Sequence, residues 1–197
     1  MSTRAWMDLG TELFLRTVDS LDDAQLSEPS ALPGWNRRHV VAHVHGNAEA
    51  LRRLVSWAAT GVERRMYAGA RQRAEEIESI SALPAGTLRD LVGQSARDLA
   101  ADMDRLPEQA WNTLVVTARG RTIPAAEIVW MRTREVTVHA VDLAHGVGFA
   151  DLPEEINVAL IADALDTHAR RSGDAAAGLA AWLTGRNAEP PALGPWL

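Results

Sequence analysis

The chain has 197 residues, 47% of them apolar and 23% charged, with a formal net charge of −6 and no cysteine. That is globular composition, long enough to bury roughly 70% of what the unfolded chain exposes. It excludes disulfides and a protein thiol nucleophile, and an acidic chain without a basic patch speaks against nucleic-acid binding.

Trp6, Leu9, Leu13, Thr17 and Leu21 predict an amphipathic first helix that stops near Asp22 and Asp23. Pro29 to Gly34 reads as a loop. A long second helix is expected from about Asn36 to Thr60, with Val40, Val44, Leu51, Leu54, Val55 and Ala58 on one side and Gly61 as its stop. A shorter polar segment carries Arg71, Arg73, Glu75 and Glu76. Pro84 opens a third helix, which closes before Pro107. Thr113 to Thr117 is β-prone and Ala118 to Arg121 supplies a turn, so a short hairpin is predicted. Pro124 then fits the first turn of a fourth helix running to about Ala144, and four such helices suggest a bundle. Two further helices are expected, Pro153 to about Arg171 and Asp174 to Thr184, before a proline-rich tail that Trp196 and Leu197 could pin. No apolar run approaches the ~18 residues of a membrane span. Acidic residues come too early for a signal peptide, so a cytoplasmic protein is expected.

Six histidines are present. On a helical wheel His43 lies at the edge of the apolar stripe of the second helix, whereas His39 and His45 fall roughly 120° from its centre. In the fourth helix Glu135 and His139 are spaced i,i+4 and project from one side, which Ile128, Met131 and Val138 make the core-facing one and Asp142 continues. An apolar face interrupted by charge is costly unless the polar groups are paired or bind something. His43, Glu135 and His139 would give a divalent metal two imidazoles and a carboxylate and leave positions open, a set that suits zinc or non-haem iron. Asp142 could accept from a ligand's free N–H. The competing reading is a routine surface Glu–His pair. His145 and His168 are expected at helix ends or on the surface. All 20 basic residues are arginines. Arg73, Arg119, Arg121, Arg132 and Arg186 sit near predicted turns or flank the candidate metal face, where a guanidinium could pair with a carboxylate substrate. Trp35, Trp57, Trp111, Trp130 and Trp182 are expected in the core.

Several separated motifs occur in order: Pro33-Gly34-Trp35-Asn36-Arg37-Arg38-His39 through His43-Val44, then Asn47 to Leu51, Ser56 to Gly61, Met66-Tyr67, Gly120 to Ala125, and Trp130 to Glu135 through His139 to Leu143. Over roughly residues 5–150 this resembles the mycothiol-dependent maleylpyruvate isomerases. The resemblance implies a mainly α, DinB-like four-helix bundle over residues 1–150, with a divalent metal, usually taken as zinc, on His43, Glu135 and His139. It implies mycothiol as cofactor, and Arg73 and Arg186 as the arginines facing a small carboxylate substrate. Isomerase-type members carry a longer C-terminal α/β domain. Residues 151–197 instead predict a short, reduced helical extension. The expected activity is metal- and mycothiol-dependent cis–trans isomerisation of a maleylpyruvate-like diacid to fumarylpyruvate. The alternatives are a mycothiol S-transferase that conjugates an electrophile, and a non-catalytic DinB-like metal-binding module.

Overall fold

The computed structural model describes residues 3–171 and 173–193. They fall into two compact units that divide between Gly148 and Phe149. The first contains α1 (Thr3–Ser20), α2 (Asp23–Leu26), α3 (Arg37–Thr60), α4 (Ala70–Ser81), α5 (Ala85–Asp104), β1 (Leu114–Val116), β2 (Thr122–Pro124) and α6 (Glu127–Asp142). The second contains α7 (Glu154–Arg171) and α8 (Gly173–Leu183), which pack on each other. Among the described residues after Gly148 there are helices and no strand. Trp196 and Leu197 lie outside the described residues. No described helix is long and apolar enough to cross a membrane.

The first unit is a closed four-helix bundle: α1 packs on α6 and α5, and α3 packs on α5 and α6. Each fully buried Leu, Ile or Val removes apolar surface from water worth about 1.5–3 kcal/mol. Leu51, Leu54, Leu99, Met103 and Ile128 fill one half of the core. Phe14, Val18, Val40, Val44, Leu88, Val136 and Ala140 fill the other. Helix α3 starts where Asn36 Oδ1 accepts from His39 N–H at 3.1 Å, a cap worth about 1 kcal/mol. It ends at Gly61, whose φ of 72° is the left-handed turn that glycine adopts without a Cβ clash. The far end of α6 is clamped by Arg37, which donates to the carbonyls of Leu143 (2.6 Å) and Ala144 (3.2 Å), and to Glu28 Oε2 (2.7 Å).

The structure corrects several expectations. The buried face of α1 is Met7, Gly10, Phe14, Thr17 and Val18, with Trp6, Leu9 and Leu13 only half-buried. The polar segment after Gly69 is a helix, α4, stiffened by the Arg71–Glu75 pair at 2.7 Å. Pro124 ends β2 opposite Leu114, and α6 begins at Glu127. The N–H groups of Ala125 and Ala126 are spent on the carbonyls of Thr113 and Trp111, so the helix ladder starts only after them. The buried side of α6 is Ile128, Arg132, Thr133, Val136, Thr137, His139 and Ala140, while Met131 and Val138 are half-buried. His168 is buried within the second unit rather than exposed. Trp35, Trp57, Trp111 and Trp130 are half-buried, and Trp182 is exposed.

Candidate metal centre

Helix α3 contributes His43, and α6 contributes Glu135 and His139 one turn apart. The three offer ligand atoms that all lie within 4.8 Å of one another, in a spot where both histidines are buried. His43 Nε2 is 3.1 Å from Glu135 Oε2, and His139 Nε2 is 3.3 Å from the same oxygen. The two imidazoles meet edge to face at 4.8 Å. His39 and His45 are both partly exposed on the flanks of α3, as the wheel predicts.

The surroundings orient each ligand. His139 Nδ1 donates to Asp142 Oδ2 at 2.8 Å, which turns Nε2 toward Glu135 and His43. Trp35 packs over His43 with ring centres 5.6 Å apart and stacks on His39. Arg73, carried by α4, brings Nη2 to 3.1 Å from His43 Nδ1. A guanidinium can only donate, so Nδ1 accepts and the His43 proton sits on Nε2, facing Glu135. Were Nε2 to hold a cation, that proton would move to Nδ1 and the guanidinium would be released from His43.

The charges are arranged as in a metal cradle. Burial alone would push the Glu135 carboxyl up, but the imidazoles of His139 and His43 against it hold it well below the usual carboxylate range. Burial also opposes a charge on His139, yet Asp142 and Glu135 raise it to about 9. For His43 burial wins and its pKa is lowered. His139 Nε2 is sealed from solvent and, despite the carboxylate 3.3 Å away, has no hydrogen-bond partner of acceptable geometry. A divalent cation satisfies that orphaned atom and the shared carboxylate together, so the residues present fit one.

Residues 7–144 match the family model described as mycothiol maleylpyruvate isomerase N-terminal domain. The chain belongs to this family. Solved structures agree: a crystal structure of the mycothiol-dependent maleylpyruvate isomerase is 42% identical, with a TM-score of 0.80 over 84% of this chain and 68% of that one. A mutant of that isomerase is 41% identical, with the same TM-score and coverage. Among curated proteins nothing matches.

Of the other arginines singled out in the sequence, Arg119 and Arg121 are exposed on the hairpin turn, with Arg121 Nη2 3.8 Å from Glu127 Oε2. Arg186 belongs to the second unit. It is exposed on the turn after α8, where its Nη1 donates to the Thr184 carbonyl. Arg132 is buried beside the site, donating Nη1 to the Val44 carbonyl (2.8 Å) and to Asn47 Oδ1 (2.9 Å). Sequence reasoning gave Tyr67 no role beyond its place in the Met66-Tyr67 motif, yet its ring faces the Arg73 guanidinium at 5.6 Å. A further signal is that the chain has no other tyrosine.

Proposed function

We propose that this family member is itself a mycothiol-dependent maleylpyruvate isomerase, converting maleylpyruvate to fumarylpyruvate with zinc held by His43, Glu135 and His139. The observation that carries the reading is the buried His–Glu–His cluster with its orphaned His139 Nε2, found in a chain of this family. Two imidazoles and one carboxylate are a catalytic rather than a structural zinc set, because they leave a coordination position open. A divalent cation there supplies the positive charge that makes a thiolate available at neutral pH, and a thiolate isomerises an enoyl diacid by reversible addition.

The protein's own groups do the rest. Asp142 keeps His139 in the tautomer that points Nε2 inward. Arg73, once free of His43 Nδ1, presents a planar fork that pairs with a substrate carboxylate in two parallel hydrogen bonds. Arg186 is proposed for the second carboxylate, on the strength of the family pattern around Trp182 to Arg186. Trp35 and the core behind it exclude water from one side of the cluster, which strengthens every charge interaction there.

The test is to incubate zinc-loaded protein with mycothiol and maleylpyruvate and to follow both diacid and thiol. The expected result is thiol-dependent formation of fumarylpyruvate with the thiol concentration unchanged. Consumption of thiol into an adduct would make the protein a transferase, and no conversion by metal-loaded protein would overturn the reading.

A further inference from the structure

Tyr67 lies on the loop between α3 and α4, and the backbone on either side of it is pinned. Arg53 Nη1 donates to the Met66 carbonyl at 2.6 Å, and the Ala68 N–H donates to Gln72 Oε1 at 2.8 Å. The Met66 side chain is itself buried and its sulfur accepts from the Ala118 N–H at 3.2 Å. The loop therefore presents the phenol at a fixed place, as a catalytic group requires.

That place is a small pocket shared with His43, Arg73 and Glu76, of about 10 Å³, room for one water-sized group. Arg73 joins the two halves, since its guanidinium faces the Tyr67 ring at 5.6 Å and reaches His43 Nδ1 at 3.1 Å. Tyr67 is thus one arginine away from a candidate metal ligand. Burial pushes its hydroxyl above the ordinary phenol range, and the adjoining charge and donors of Arg73 pull the other way without cancelling it. At neutral pH the pocket accordingly offers a neutral O–H donor beside a fixed cation, the pairing that stabilises a developing oxyanion.

We propose that Tyr67 is a catalytic residue of the isomerisation, its hydroxyl donating a hydrogen bond to the substrate ketone oxygen as that oxygen takes up negative charge. This rests on the function proposed above. When sulfur attacks the alkene carbon next to the carboxylate, the C–S bond forms, the alkene pair moves into the bond beside the ketone, and the carbonyl pair goes to its oxygen. After rotation about the resulting single bond the same pairs return, the C–S bond breaks and the thiolate leaves. Tyr67 keeps its proton throughout.

Because Tyr67 is the chain's one tyrosine, protein grown with 3-fluorotyrosine carries a single ¹⁹F reporter at this position. Fumarylpyruvate, which carries the ketone and is not turned over without thiol, is titrated without mycothiol into the zinc-loaded, full-length protein. The expected result is a saturable shift of that line, weakened in Arg73→Met. Tyr67→Phe is expected to lower kcat about 100-fold, the usual loss of one oxyanion donor, with KM little changed and metal content that of the wild type. A fluorine line that stays put across the fumarylpyruvate series overturns the proposal, as does a Tyr67→Phe enzyme of undiminished kcat. A wild type that turns nothing over overturns the reaction itself. The two failures are distinguishable because the fluorine shift is read without turnover.

Discussion

Arg132 carries a charge into the interior of the bundle, where it is 1% exposed and held by two neutral acceptors on α3, the Val44 carbonyl and Asn47 Oδ1. Burial pushes its pKa down to about 10, so it remains a cation at neutral pH, with the Glu135 carboxylate favouring that state. It ties the helix bearing Glu135 and His139 to the helix bearing His43. Arg132→Met removes both bonds and leaves Asn47 Oδ1 without its donor, and a loss of about 2–3 kcal/mol in urea unfolding is expected. Arg132→Lys should recover part of it, since the charge stays but the fork does not. Tyr67 has its pKa shifted upward, opposite to that of Glu135. Its folded pKa is raised above the ordinary value of 10.0, so its contribution to stability is intact below pH 10 and is lost as pH rises from there through the folded pKa. A spectrophotometric alkaline titration should show the phenolate band appearing at higher pH in folded than in urea-unfolded protein. Coincident curves would remove the buried, protonated phenol from the account. At this scale the grouping of His43, Glu135 and His139 was legible, because i,i+4 spacing and a wheel angle depend on helix geometry alone. Of the neighbours, Asp142 was legible by the same spacing, and it meets His139 Nδ1 at 2.8 Å. The role of Tyr67 was not, because it sits in a loop with no periodicity, and the burial of Arg132 was not, because a charge adds nothing to a hydrophobic stripe.

At the scale of elements, the closest approach in the bundle is between α1 and α6. A Cβ built on Gly10 would meet Thr137 Cγ2 at 2.6 Å and Val136 Cγ2 at 2.9 Å. Gly10→Ala therefore forces α1 off the helix that carries two of the three cluster residues. A loss of about 1–3 kcal/mol in urea unfolding is expected. Gly86→Ala, at an exposed position in the first turn of α5 with open space around it, should instead gain up to about 1 kcal/mol. The same contact explains why the buried face of α1 was not legible. Glycine adds nothing to a hydrophobic stripe, so the pattern of Trp6, Leu9 and Leu13 set the phase about one residue away. Helix α6 misled in a related way. Thr133 and Thr137 are buried because their hydroxyls donate to carbonyls of their own helix, those of Val129 and Thr133, each at 2.8 Å. Polarity at those positions costs little and hides a core face. The lengths and order of the four bundle helices were legible, since capping signals such as Asn36 and Gly61 act within a few residues. The start of α6 was not, because the carbonyls of Thr113 and Trp111, ahead of β1, hold Ala125 and Ala126 in place before the helix can begin.

At the scale of the whole molecule, His43 on α3 and Glu135 and His139 on α6 would make a bound cation a cross-link between two bundle helices. Zinc at 100 times its Kd adds about 2.7 kcal/mol to the folded state, which for a chain of this size is about 5–10 °C in Tm. Chelation is expected to lower the Tm by that amount in the wild type and to leave a His43→Ala variant unmoved. The measurement that bears most directly on the account is the metal content of the purified, untagged protein by elemental analysis, beside the same measurement on His43→Ala and on His45→Ala. Near-stoichiometric zinc in the wild type and in His45→Ala, and none in His43→Ala, is the expected result. No metal in the wild type even after zinc reconstitution, or equal metal in all three, would contradict it.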